Sequence, residues 1–321
     1  MVRKTFLADA ADSPAPGVRH GQKVPIRVAR TFAAAARCRA TAVTLLSTDI
    51  LRLAAFCDSG AGGNPAGVAI VSRLPDEAVM RRLAAEIGYS ETVFAAPVAG
   101  AWRTRYSSPE SEVPFCGHAT IALGAALAER EGDGTFELRL NEATITVTGR
   151  TDADGMSASL NLPPTASRPA DEALVTRALD LLGYDRDDLD PALPPLFASA
   201  GATHLILALR TREALAAMDY DLAEGRVLMV AAGLVTIALV HARGDTVFDV
   251  RNAFASGGVL EDPATGAAAA VAGALRDRGS GPFSPMTLVQ GEDMGSRSII
   301  VAEASVEIGG SVRVAGGVRR L

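Results

Sequence analysis

From residue 50 onward, short apolar runs alternate with Gly, Pro and Asp breaks, a pattern of many strands and few helices. Ile50-Leu51-Arg52-Leu53-Ala54-Ala55-Phe56 reads as the first strand, followed by the loop 57–65 and a strand over 66–71. Pro75-Asp76-Glu77 then opens a helix whose apolar positions Val79, Leu83, Ala84 and Ile87 recur at helical spacing, and Gly88 ends it. A short strand over 90–95 carries Glu91 at its mouth. Further strands fit 102–106, 134–140, 143–149 and 155–161. The Pro-rich stretch 162–171 reads as a connector, after which a helix fits 172–182. Strands fit 205–209, 234–242, 246–252, 286–290, 299–302, 305–308 and 312–314.

Two segments stand apart from this strand-rich background. Glu112-Val113-Pro114-Phe115-Cys116-Gly117-His118-Ala119-Thr120 runs into Ile121-Ala122-Leu123-Gly124-Ala125-Ala126-Leu127. Leu260-Glu261-Asp262-Pro263-Ala264-Thr265-Gly266 runs into Ala267-Ala268-Ala269-Ala270-Val271-Ala272. Each follows an arginine-led strand, at Arg105 and Arg251, and the two lie about 145 residues apart in the same register. Gly and Pro break the chain, small residues start a helix, and a titratable group sits in each turn. Free backbone N–H groups at such a start attract anions, helped by the helix dipole. Two of them facing each other across a cleft predict a carboxylate site flanked by titratable groups. Two similar strand-rich halves, each with one prominent turn and helix, indicate an α+β fold rather than a single doubly wound sheet.

Composition narrows the chemistry. The only lysines are Lys4 and Lys23, so the body of the chain lacks the lysine that Schiff-base or Walker-loop chemistry requires. The loop at Gly60 to Pro65 fails the dinucleotide template, because Pro65 takes its last glycine position. A net charge of -6 offers no basic footprint for nucleic acid or membrane. Cys38, Cys57 and Cys116 form no metal-type spacing and no even disulfide set, which fits a reducing, cytoplasmic setting with no metal. Residues 1–48 differ from the rest, with eight Lys or Arg, few acids and no export-signal pattern. They are expected to be a poorly ordered extension, or the product of a start codon assigned too far upstream.

Glu91 is a carboxylate between Ser90 and Thr92 on an otherwise apolar strand; burial near a cleft would suit it to proton transfer, whereas a solvated strand end would not. The helix dipole beside His118 favours a neutral imidazole, able to accept or donate. Asp262 suits a helix cap, a role compatible with facing substrate. The same dipole can lower the pKa of the Cys116 thiol. With no cysteine in the second turn, a two-thiol racemase is excluded. His204 and His241 lie in apolar strand-like runs and read as core residues.

Gly63-Asn64-Pro65-Ala66, Ser90-Glu91-Thr92, the Glu112-to-Thr120 segment, Glu261-Asp262-Pro263-Ala264-Thr265-Gly266 and Gln290-Gly291 occur in this order. This set resembles the PhzF-like family, the phenazine-biosynthesis isomerase and its relatives, from about residue 50 to the C-terminus. The resemblance implies a diaminopimelate epimerase-like fold of two pseudo-symmetric domains, each a sheet wrapped around a central helix. The domains are expected over 49–165 and 166–321, with the last strand able to return to the first. It further implies a cofactor-independent isomerase acting on a small carboxylated metabolite, in a homodimer. By matching positions Glu91 is the acid/base, assisted by His118 and Asp262, while Asn64, Cys116, Gly117, Thr265, Gly266 and Ala267 surround the substrate. Gly117 and Gly266 would offer backbone N–H groups to its carboxylate. Three positions depart from the family pattern: Ala267 replaces a common serine, Ala54 an aspartate and Ser256 a proline. Loss of the serine hydroxyl removes one contact of about 0.5–1.5 kcal/mol. Two alternatives remain at this stage: a binding or regulatory protein with weakened catalysis, and a hydrolase or racemase using Cys116 alone.

Overall fold

The computed structural model describes residues 46–279 and 285–321. The expectation for the N-terminal extension falls almost entirely outside the described residues. The first half holds β1 (Leu51–Cys57), β2 (Asn64–Ile70), α1 (Glu77–Ile87), β3 (Thr92–Val98), β4 (Ala101–Ser107), the two-residue β5 (Glu112–Val113), α2 (Gly117–Glu131), β6 (Gly134–Arg139), β7 (Thr144–Asp152) and β8 (Gly155–Asn161). The second holds β9 (Ala166–Pro169), α3 (Glu172–Leu182), β10 (Leu196–Ser199), β11 (Thr203–Ala208), α4 (Arg212–Ala216), α5 (Leu222–Ala231), β12 (Thr236–Ala242), β13 (Val247–Ala253), α6 (Ala267–Asp277), β14 (Met286–Gln290), β15 (Ser298–Ala304) and β16 (Val312–Arg320).

The strands run β1-β2-β3-β4-β6-β7-β8-β16-β15-β14-β13-β12-β11-β10-β9, and β5 pairs with β4. The last strand joins the halves. One edge of β16 pairs with β8; its other edge pairs first with β15 and then with β1. The strands from β1 to β8 therefore close through β16 around α2, and the remaining strands wrap α6. The class is α+β, with two similar halves each built on one central helix. Among the described residues no helix is long and apolar enough to cross a membrane.

The composition of α2 explains how a sheet can surround it. His118 through Ala128 are all buried, and most are Ala, Gly or Leu, so the helix has no polar face to keep in water. Backbone contact is closest at Gly149 of β7, where an added Cβ would lie 2.0 Å from the Gly124 carbonyl oxygen. Gly149→Ala should therefore destabilise the protein by about 1–3 kcal/mol, the usual range for overpacking. Denaturant titration checks this, and an unchanged midpoint would mean that β7 stands off α2. The second helix repeats the design, with Ala267 through Arg276 buried.

Three local expectations fail. Residues 305–308 form a turn rather than a strand, closed by a Ser305 N–H to Ser311 carbonyl bond of 3.0 Å. Val306 and Ile308 point to solvent there, and Gly309 has a positive φ that breaks the extended run. The connector 162–171 contains β9, which pairs antiparallel with β10. Strand 312–314 continues to Arg320 because both its edges stay paired, with β8 and with β1; its glycines disguise it, and a Cβ on Gly316 would stand 2.5 Å from the Phe56 ring.

Candidate active site

Each half presents its helix start on a pinned turn. In the first, Cys116 is the N-cap of α2 in an extended conformation. The Thr120 hydroxyl donates to the Cys116 carbonyl at 2.6 Å and lies 2.7 Å from the Tyr106 hydroxyl on β4. In the second, Asn252 on β13 donates to the Thr265 hydroxyl, and the Gln290 amide donates to the Asp262 carbonyl at 2.7 Å. An arginine of the preceding strand clamps each turn: Arg105 Nε to Glu112 at 2.7 Å, and Arg251 Nε to Glu261 at 3.1 Å. The register noticed between Arg105 and Arg251 is thus two equivalent ion pairs. The roles of Tyr106, Asn252 and Gln290 were not read from sequence, although Asn252 follows the arginine that marks its strand.

Asn64 joins the side chains of His118 and Asp262, and Glu91 stands against the far side of the His118 ring. Gly88, left-handed at φ +76°, ends α1 and turns the chain towards β3; the Glu91 carbonyl then accepts from Gly67 N–H at 3.2 Å. The Glu91 carboxylate keeps 17% exposure and lies 3.5 Å from His118 Nε2. Asn64 Nδ2 lies 3.2 Å from His118 Nδ1, 2.7 Å from Asp262 Oδ1 and 3.0 Å from the Ala264 carbonyl oxygen. Cys116 Sγ lies 3.4 Å from His118 Nδ1. Gly117 and Gly266 adjoin this cluster at the two helix starts, and neither has an atom within 4 Å of where a Cβ would stand. The Thr265 hydroxyl oxygen accepts from Asn252, which leaves its proton free to donate, and Ala267 is fully buried.

Burial and mutual charge set the protonation states. Burial pushes the Asp262 carboxyl up to about 8; the Glu91 charge adds to this, and the Asn64 hydrogen bond opposes it. Asp262 is only partly buried as a residue, but the surroundings of its carboxyl are dense enough for burial to dominate. His118 is held below its ordinary value by burial, against the pull of Glu91. Cys116 is pushed well above an ordinary thiol by burial and then by Glu91. This reverses the expectation that the helix start lowers the thiol, since a dipole effect of about 0.3–2 kcal/mol is outweighed by burial beside a carboxylate. Near neutral pH these shifts favour a neutral imidazole, a protonated aspartate and a protonated thiol next to Glu91.

Glu91, Cys116 and His118 also bring one oxygen, one sulfur and one nitrogen within 4.8 Å of one another, a donor set that suits a zinc-like cation. Such an ion would have to displace the thiol proton that burial retains. Elsewhere, a cavity of about 310 Å³ lined by Arg168, Arg177 and Phe197 shares no residue with this cluster. Its carboxylate, Asp171, is already used as the N-cap of α3. His204 is buried against the Thr236 hydroxyl at 2.7 Å, and the half-buried His241 faces the Leu209 carbonyl at 3.2 Å.

Comparison with known proteins places this arrangement. The uncharacterized isomerase YfhB of Bacillus subtilis is 30% identical over 282 residues, covering 83% of this chain and 93% of its own. An uncharacterized isomerase of Deinococcus radiodurans is 30% identical over 269 residues, covering 81% and 87%. Among solved structures, a PhzF-family phenazine biosynthesis protein of Bacillus anthracis superposes with a TM-score of 0.74 at 20% identity, covering 85% of this chain and 96% of its own. A probable proline racemase of Agrobacterium radiobacter, at TM-score 0.58 and 12% identity, covers 85% and 90% and shares the fold alone. The family profile described as phenazine biosynthesis-like protein matches residues 53–318. The chain belongs to that family.

Proposed function

We propose that this protein is an isomerase that moves a proton between carbon positions of a small carboxylated metabolite, without a cofactor. The observation that carries the reading is that Glu91, His118 and Asp262, from three separate parts of the chain, form one connected cluster, with Glu91 against His118 and Asn64 joining His118 to Asp262. The isomerase names of relatives that align along most of this chain support the same class. Glu91 takes a proton from carbon next to an electron-withdrawing group, and the electron pair delocalises into that group. Glu91 then returns the proton to a different carbon; in an epimerisation Glu91 keeps that proton and a second acid, protonated Asp262, delivers its own to the opposite face. His118 and protonated Asp262 hydrogen-bond the substrate's polar atoms and stabilise the charge that develops. The N–H groups of Gly117 and Gly266 hold the carboxylate.

Incubation with candidate small acids in deuterated water tests this, with deuterium at carbon as the expected result. Complete absence of carbon exchange on every acid that binds would refute it. The single-thiol alternative is opposed by the protonated state of Cys116. Cys116→Ala should keep proton exchange, with a loss well short of that in Glu91→Gln. A loss as large as the Glu91 variant's would transfer the chemistry to the thiol.

A further inference from the structure

The Gly63-Asn64-Pro65 motif has a physical logic of its own. Gly63 has φ +88°, and a Cβ there would lie 2.8 Å from the Ala55 carbonyl oxygen, so only glycine fits. Pro65 restricts the residue before it to extended backbone, which starts β2 at Asn64 opposite Ala55. Gly63 is also tied to the second half by its N–H to the Arg297 carbonyl at 3.1 Å and by the Ser296 hydroxyl to its own carbonyl at 2.7 Å. The motif delivers one buried amide, 3% exposed, to a fixed point between the two helix starts.

The orientation of that amide is not arbitrary. The Ala264 carbonyl can only accept, so the nitrogen of Asn64 must face it, and the same nitrogen then faces Asp262 Oδ1 and His118 Nδ1. An amide nitrogen can only donate. A hydrogen bond at the 3.2 Å contact with His118 thus makes Nδ1 the acceptor and leaves the ring proton on Nε2, the nitrogen 3.5 Å from Glu91. The two hydrogens of Asn64 are shared among three acceptors, all within the protein.

We propose that Asn64 is a positioning residue: its amide nitrogen clasps His118 to Asp262 across the two halves and fixes the imidazole proton on Nε2, facing Glu91. This rests on the proton-transfer reading of the site, because the tautomer decides which group His118 can hydrogen-bond.

The test reads the tautomer directly, without turnover. Two-bond proton–nitrogen correlation spectra of the full ¹⁵N-labelled chain at neutral pH distinguish the two ring nitrogens, and loss of a signal in His118→Asn assigns it. Cys116→Ala serves as the background, so that the thiol 3.4 Å from Nδ1 cannot replace the lost donor. In that background a single Nε2–H form is expected. Asn64→Ala should give a mixture of tautomers, and Asn64→Asp, which turns the donor into an acceptor, should move the proton to Nδ1. His204 and His241 should keep their patterns in both variants, showing that the fold holds. An Nδ1–H form with Asn64 intact, or an unchanged tautomer in Asn64→Ala, overturns the proposal. So does a change of His118, His204 and His241 together in Asn64→Ala, which would make Asn64 a general folding residue. Should only the Asp variant disturb the fold, the Ala variant decides. None of these outcomes depends on catalysis, so an inactive protein with the expected tautomer would count against the isomerase reading alone.

Discussion

Glu91→Gln should lower the rate of carbon-bound proton exchange by about 10²–10⁴-fold, the usual contribution of a general acid–base group, while substrate still binds. The amide keeps the shape and hydrogen-bonding reach of the carboxylate but cannot take and return a proton. His118, 3.5 Å away, would keep a polar neighbour, so the rest of the cluster should stay in place. A rate close to wild type on an identified substrate would move the base to His118 or Asp262. Loss of binding and rate together would make Glu91 a ligand contact. His118→Asn and Asp262→Ala are expected to differ from Glu91→Gln by weakening binding as well as rate, because in the proposed mechanism both orient the substrate.

What could be read from sequence follows the range of the interactions involved. Helix α3 was placed at both ends, because Asp171 caps it, Gly183 closes it in the left-handed region, and its apolar stripe is periodic. The same holds for α1 and Gly88. Helix α5 was missed: its buried Gly225, Leu228 and Met229 are flanked by exposed Val227 and Val230, so apolar residues fall on both sides and blur the period. At 305–308, β-branched residues suggested a strand that has no neighbour to pair with. The site was legible as motifs, since Glu91, His118 and Asp262 each sit at a chain break. Their convergence rests on residues far apart in sequence, above all on Asn64 reaching Asp262 across 198 positions, which no local pattern encodes. The thiol was misread for the same reason: a helix start is visible in sequence, but burial beside a carboxylate is not.

Asp262→Asn should raise the melting temperature at pH 8 and leave it close to wild type near pH 4. In the unfolded chain an aspartate ionises near its ordinary value of about 3.9, whereas the folded protein holds this proton up to about 8. Between those limits the folded state binds more protons than the unfolded one, so wild-type stability falls as pH rises. The loss approaches about 1.4 kcal/mol per pH unit for a fully shifted single group. Below the lower limit both states are protonated and the contribution is intact; above about 8 both are ionised and the loss is complete. Asparagine cannot ionise, yet its carbonyl oxygen can still accept from Asn64 Nδ2, so the clasp survives and only the titration is removed. The other titrating groups are common to both proteins and largely cancel in the difference. The measurement is the gap in melting temperature between variant and wild type across this pH range. A gap that widens towards low pH would mean that folded Asp262 is ionised and stabilised by its neighbours. The site would then hold two negative carboxylates, and Asp262 could not serve as the neutral partner of Glu91.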